Sequence, residues 1–252
     1  MRNTFRKTGP ESAYEMFAAE ADGLAELRDA AEIRVPEVID VGVLNGQAYI
    51  DLERLELEPA SRDVEHALGE KLAALHRHTQ DQYGWFRDNT IGLTPQRNDP
   101  SNDWLDFYRD HRHGYQVRLA VRNGYGDEIA ELGDRVAERL PGLFEGYDPP
   151  ASLLHGDLWG GNWGCVSGEP VLFDPAVYFG DREADIAMTM LFGGFGTGFY
   201  DAYQSSWPME PGHEQRLKLY RLYHVLNHLN LFGRSYLCLL YTSDAADDRP
   251  RV

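Results

Sequence analysis

Cysteine, lysine and long apolar runs are all scarce in this chain, and each shortage closes a route. Cys165 and Cys238 are the two cysteines, too few for a disulfide framework or a thiolate zinc site. Buried, unreactive thiols are the expectation. No apolar run approaches the roughly 18 residues of a membrane span, and no basic-plus-apolar leader opens the sequence, so a soluble, cytoplasmic protein is expected. Positive charge is short as well: 24 Lys and Arg face 41 Asp and Glu, a net charge of −17. Phosphate-backbone binding needs a basic patch, and this balance argues against a nucleic-acid surface. A nucleotide stays compatible with it if a few cations and Mg²⁺ are placed locally. Lys7, Lys71 and Lys218 are the only lysines, so a Lys beside a phosphate site would stand out.

What is present suits a sizeable core. The 252 residues, 42% of them hydrophobic, suffice for one large domain or two modest lobes sharing a cleft. Residues 2–8 read as the end of a strand. A helical pattern follows from Ser12, its expected N-cap, with Met16, Phe17, Leu24 and Leu27 on one apolar face. Val38 to Leu44 and Gln47 to Leu55 flank Asn45-Gly46, the dipeptide that favours a type I′ hairpin turn. Polar, Pro-containing sequence after Leu55 marks a boundary, which divides the chain into a small lobe (1–57) and a large one (58–241). The large part reads as mainly helical: Val64 to Leu75 starting near Ser61, Trp104 to Leu119, Ile129 to Leu140, Asp181 to Phe192 and Tyr220 to Phe232. Residues 83–101, rich in Asn, Asp and Pro, read as a loop. Residues 242–252, TSDAADDRPRV, are small and acidic without apolar periodicity. A frayed tail foreign to the natural protein is expected there.

The chemistry concentrates in LLHGDLWGGNWGCVSGEPVLFD, residues 153–174. Leu153-Leu154 and Val171 to Phe173 read as buried strands, each delivering an Asp where its apolar character stops. Gly156, Gly160, Gly161 and Gly164 between them would permit positive φ and a loop wrapped around a ligand. An Asn and two Asp then converge. Oxygen donors of this kind suit a hard cation such as Mg²⁺, with one carboxylate left to accept a proton. Asp157 and Asn162 are five apart, the separation of catalytic Asp and metal-binding Asn in the protein-kinase pattern, and Asp174 falls where a second metal-binding Asp should stand.

Three long motifs, HGDLWGGNWG, VLFDPAVYFGDREADIAMTMLFGGF and LYRLYHVLNHLNLFG, resemble the fructosamine kinase (ketosamine 3-kinase) family, within the larger aminoglycoside- and choline-kinase-like group. The likeness runs from about Phe5 to about Tyr236. It implies an α+β, protein-kinase-like fold of two lobes, and ATP-dependent phosphorylation of a ketosamine at its third carbon, whose product sheds the sugar. The substrate would be a small ketosamine or a glycated amine on a protein lysine; oligomeric state is left open. Residue by residue, the resemblance makes Asp157 the base and Asn162 and Asp174 the Mg²⁺ ligands. FRKTG and MFAAEADGL match the positions of a strand Lys on the α- and β-phosphates and its helix Glu partner, so Lys7 and Glu20 inherit those roles. Backbone near Glu53 to Leu55 would hold adenine. Trp159 and His224 are candidate substrate contacts, while His155 and Asp185 are expected to brace the loop.

One departure bears on activity. The family precedes its strand Lys with two strands and a glycine-containing loop over the phosphates, and the six residues before Lys7 are too few to supply them. Two other readings therefore stand beside the kinase. One is a non-catalytic relative that binds a sugar or partner; the other is a metal hydrolase using His155, Asp157 and Asp174 as ligands.

Overall fold

The computed structural model describes residues 4–236; Cys238 and the tail at 242–252 lie outside them. The first strand, β1 (Thr4–Pro10), is followed by helix α1 (Tyr14–Ala30) and by strands β2 (Val38–Leu44) and β3 (Gln47–Glu53). These strands form an antiparallel sheet in the order β1-β3-β2. The β2–β3 turn is the one the sequence asks for: Asn45 and Gly46 both have positive φ, 52° and 76°, as a type I′ turn requires. Ala48, Ile50 and Leu52 of β3 and Phe17, Leu24 and Leu27 of α1 are all buried in one core. Ser12 does not cap α1. Pro10 ends the strand and a 3-10 turn, Glu11–Ala13, absorbs Ser12, leaving Ala13 before the helix with no side-chain cap.

The chain then crosses to a mainly helical part. Helix α2 (Arg62–Leu75) begins as expected, with Ser61 Oγ accepting a hydrogen bond from Val64 N at 3.3 Å and Val64, Leu68, Leu72 and Leu75 buried. After β4 (Thr79–Gln80), the segment read as a loop contains a hairpin, β5 (Asn89–Ile91) and β6 (Thr94–Gln96). Strands of three residues are too short to show alternation, and their inward Asn89 and Gln96 look like loop residues. The helix expected over 104–119 is three pieces: α3 (Trp104–Phe107), a π-helical turn (Tyr108–His113) and α4 (Gly114–Arg122). Arg112 is buried there over the rings of Phe107 and Tyr178, at 4.6 and 4.0 Å. Helix α5 (Asp127–Leu143) covers the expected 129–140 and runs beyond it at both ends.

Strand β7 (Ala151–Leu154) lies between β10 (Tyr178–Gly180) and β4, and β8 (Trp163–Val166) pairs with β9 (Glu169–Leu172). Helices α6 (Glu183–Thr189), α7 (Thr197–Ser206) and α8 (His213–Phe232) complete the chain. The sequence reading placed one helix over 181–192 and another from residue 220, with no helix between them. TGFYDAYQSS is poor in strong helix formers; α7 exists because Phe199, Ala202 and Tyr203 bury against the rest. The first turns of α8 are polar and hid its true start. Among the described residues no helix is long and apolar enough to cross a membrane.

Candidate active site

Strand β7, buried along its whole length, runs straight into the catalytic-looking loop. At Gly156 the backbone has φ +82°, and a Cβ there would run into the carbonyl oxygen of Ala176. Only glycine allows this approach, which turns the chain so that Asp157 leaves the strand end. Gly160, Gly161 and Gly164 do not have positive φ, so one glycine, not four, provides the left-handed conformation. Asp185 of α6 accepts hydrogen bonds from His155 N and Gly156 N at 2.7 and 2.8 Å. The same carboxylate meets His76 Nε2 at 3.2 Å, and His76 Nδ1 meets Tyr203 Oη at 2.8 Å. Because Arg182 donates to that tyrosine oxygen at 3.0 Å, the tyrosine donates to Nδ1 and the proton on His76 sits on Nε2, facing Asp185. Burial alone would push Asp185 up, but the His76 hydrogen bond and the charges and backbone donors around it hold it below the usual carboxylate range.

The second half of the loop brings in the other acid. Asn162 Nδ2 donates to the backbone oxygen of Asp157 at 2.9 Å and to its carboxylate at 3.3 Å, and reaches the backbone oxygen of Asp174 at 3.4 Å. Phe173 N donates back to Asn162 O at 3.1 Å, so the β8–β9 hairpin delivers Asp174 beside the loop it started from. Asp174 has φ +56°, a conformation that costs a non-glycine residue about 1 kcal/mol or more. His155 is fully buried: its Nε2 donates to Phe173 O at 3.0 Å and its Nδ1 accepts from Asp157 N at 3.3 Å. Its ring therefore ties two strand ends together and does not face the cleft.

Lys7 arrives from β1. Its Nζ lies 2.7 Å from Glu20 Oε1 and 2.6 Å from Asp174 Oδ1. Burial penalises the ammonium, yet the Glu20 and Asp174 charges outweigh that penalty and leave its pKa above the ordinary value. Asp157 has no such cation. Burial first, then the Asp185 and Asp174 charges, push its pKa up to about 7, against the opposing Asn162 hydrogen bond. A carboxylate near neutrality and within a cleft has the properties of a general base.

Two cavities meet at this point. One, of about 320 Å³, is lined by Asp157, Trp159, Asn162, the α1 residues Met16, Phe17 and Ala19, and the β5–β6 hairpin, together with Lys7, Glu20 and Asp174. The other, of about 310 Å³, is lined by Phe5, Pro36, Leu52 to Leu55, Leu57 and Phe173, again with Lys7 and Asp174. Lys7 and Asp174 are thus the shared wall between a polar chamber and an apolar slot. The slot is bounded along one side by Leu52 to Leu55. The Glu53 carboxylate itself faces Arg34, at 2.5 Å.

Among the sequence candidates, Lys7, Glu20, Asp157, Asn162 and Asp174 come together, and Trp159 stands at the chamber with 40% of its surface exposed. His224 does not reach it. At 3% exposure it belongs to the interior face of α8, where burial pushes its pKa down to about 3. The α8 periodicity that buries Tyr220, Tyr223 and Leu226 carries His224 inward as well. Sequence reasoning missed the hairpin residues Asn89, Thr90 and Leu93, which line the chamber; they lie in the stretch rich in Asn, Asp and Pro read as a loop.

The fructosamine kinase family model matches residues 1–242. The chain belongs to the fructosamine kinase family. A probable ketoamine kinase from Synechocystis sp. is 46% identical over 235 residues, covering 92% of this chain and 78% of that protein. The chloroplastic protein-ribulosamine 3-kinase of Oryza sativa subsp. japonica is 44% identical, covering 92% and 68%. The crystal structure of a Haemophilus somnus 129PT protein classed as a fructosamine-3-kinase superposes with a TM-score of 0.88 at 33% identity, over 95% of this chain and 82% of that one. An aminoglycoside phosphotransferase, APH(4)-Ia, in complex with ADP and hygromycin B, matches at a TM-score of 0.61 and 16% identity, over 96% and 82%. At that identity the likeness shows the fold: fructosamine kinases share the protein-kinase-like α+β architecture, a small sheet-bearing lobe before a mostly helical one.

Proposed function

We propose that this member of the fructosamine kinase family transfers the γ-phosphoryl group of ATP to a sugar hydroxyl of a ketosamine, at its third carbon. The observation that carries this reading is the shared wall: Lys7 and Asp174, 2.6 Å apart, stand between an apolar slot sized for a nucleoside and a polar chamber that holds Asp157. ATP would lie in the slot, its adenine against the backbone of Glu53 to Leu55 and its α- and β-phosphates on Lys7, which Glu20 keeps in place. The sugar hydroxyl oxygen attacks the γ-phosphorus from the chamber. The bond from that phosphorus to the β–γ bridging oxygen breaks, ADP leaves with the electron pair, and the hydroxyl proton passes to Asp157. His155 and Asp185 hold the loop in place from below.

Mg²⁺ fits the donors on hand. The Asn162 amide already spends its nitrogen on Asp157, which leaves its oxygen as a donor, and Asp174 adds a carboxylate; both are the hard oxygen ligands that Mg²⁺ takes. When bound, the ion neutralises charge on the β- and γ-phosphates. We place the lobe boundary between residues 57 and 58, where the apolar slot ends at Leu57.

The names of the Synechocystis and rice relatives, ketoamine kinase and protein-ribulosamine 3-kinase, support a ketosamine, free or on a protein lysine, as acceptor. Release of the sugar from the unstable product would make the outcome deglycation. A cytoplasmic setting is part of this proposal, although the rice protein's name places it in the chloroplast. No observation favours a hydrolase, since both ring nitrogens of His155 are engaged within the protein. The deciding experiment is ATP consumption over a panel of ketosamines, run on the longest form of the protein in which this sequence occurs. Phosphate appearing on the third carbon of the sugar supports the reading; nucleotide binding by calorimetry without turnover on any ketosamine would favour a non-catalytic relative.

A further inference from the structure

The β5–β6 hairpin has more hydrogen bonding behind it than its size requires. Asn89 Nδ2 donates to Val177 O at 2.7 Å, and Asn89 Oδ1 accepts from both Gln96 Nε2 and Asn98 Nδ2, at 2.9 and 3.0 Å. Gln96 Nε2 also reaches Ala176 O at 3.0 Å, and Tyr223 Oη donates to Gln96 Oε1 at 3.0 Å. These amides pin the hairpin to the segment that follows Asp174. Buried, mutually satisfied amides of this kind rigidify what they join. Asn89 and Ile91 are buried and Thr90 between them is half-buried, lining the chamber that holds Asp157.

Apart from the indole N–H of Trp159, the other polar side chains of that chamber are spoken for. Lys7 and Glu20 bond each other, Asn89 is consumed by the hairpin, and Asp157, Asn162 and Asp174 belong to the transfer itself. Thr90 has no side-chain hydrogen bond to any described residue. Its hydroxyl can both donate and accept.

Resting on the kinase reading above, we propose that Thr90 is a specificity-determining residue, its hydroxyl hydrogen-bonding an acceptor-sugar hydroxyl other than the one phosphorylated. The rigid hairpin holds Thr90 at a set distance from Asp157, so the pair measures the sugar: the reacting oxygen at one end, a second hydroxyl at the other. The isosteric Thr90→Val removes the hydrogen bond and keeps the shape.

The experiment compares Thr90→Val with the unmodified protein on a fructosamine-type ketosamine and on analogues lacking the hydroxyl at carbon 4, 5 or 6. We expect Thr90→Val to raise KM for the parent ketosamine about ten-fold with KM for ATP unchanged. One deoxy analogue should show the same loss with the unmodified protein and no further loss with the variant. Equal losses on every analogue, or no loss at all, overturn the assignment while leaving the kinase reading intact. No phosphorylation of any ketosamine by the unmodified protein overturns the kinase reading and this assignment with it.

Discussion

At the residue scale, two acids one loop apart have been given opposite surroundings. Asp174 faces an ammonium at 2.6 Å, whereas Asp157 is half-buried with carboxylates for neighbours and is pushed up to about 7. In the proposed mechanism that contrast suits Asp174 to the role of ligand and charge partner and Asp157 to that of proton acceptor. Replacing Asp157 with Ala should cut kcat by roughly 10²-fold or more while the circular dichroism spectrum and nucleotide affinity stay as they are; near-normal turnover would remove it from the mechanism. Asp174→Asn should instead shift the Mg²⁺ titration of activity and of nucleotide binding to higher metal concentration. His224 makes a separate prediction about stability. Its folded pKa, about 3, lies below the unfolded value of roughly 6.5, so only the unfolded chain takes up its proton as pH falls through 6.5. Between pH 7.5 and 5.5 the stability of the unmodified protein, measured by urea unfolding, should therefore drop relative to His224→Gln by about 1.4 kcal/mol. A gap that stays constant with pH would mean that His224 is solvated in the folded state.

At the element scale, what could be read in advance was what repeats or punctuates. Ser61 before a run of apolar residues spaced three and four apart announced α2, and Asn45-Gly46 announced its hairpin, because in each a local rule decides the geometry. The site was legible for the same reason: Asp157, Asn162 and Asp174 lie within 18 residues and on one strand–loop–hairpin unit. The β5–β6 hairpin, α7 and the π-helical turn were not legible, since each depends on partners far along the chain. Asn89 is strand-like only because Val177 accepts from it, and α7 is a helix only because the α2 side of the core accepts Phe199 and Tyr203. Elements held this way should be sensitive to the loss of a single amide. Gln96→Leu leaves Tyr223 and the Ala176 carbonyl without their partner, a buried loss of about 1–3 kcal/mol that urea unfolding would register. Its effect on KM for the acceptor should exceed its effect on KM for ATP.

At the scale of the whole molecule, a second polar interior sits behind the site. Arg216 and Glu183, 2% and 0% exposed, pair at 2.8 Å between α8 and α6, and Arg216 also lies over the Tyr147 ring at 3.8 Å. A pair this dry is hazardous to break by halves. Arg216→Met strands a buried carboxylate and should cost about 3–5 kcal/mol, far more than the double change with Glu183→Gln. If the single and double variants unfold at the same urea concentration, the pair is not coupled.

The contact between Lys7 and Asp174 also sets a timetable for biosynthesis. Its two ends are 167 residues apart in the chain, whereas Lys7 and Glu20 are separated by 13. At a ribosome adding about 5–20 residues per second, the lysine and its helix partner emerge together, and the aspartate follows roughly 10–30 s later. Lys7 must wait, tethered to Glu20 alone, until residue 174 has been made, and the contacts that α8 makes with Trp104 and Gln96 can form only later still.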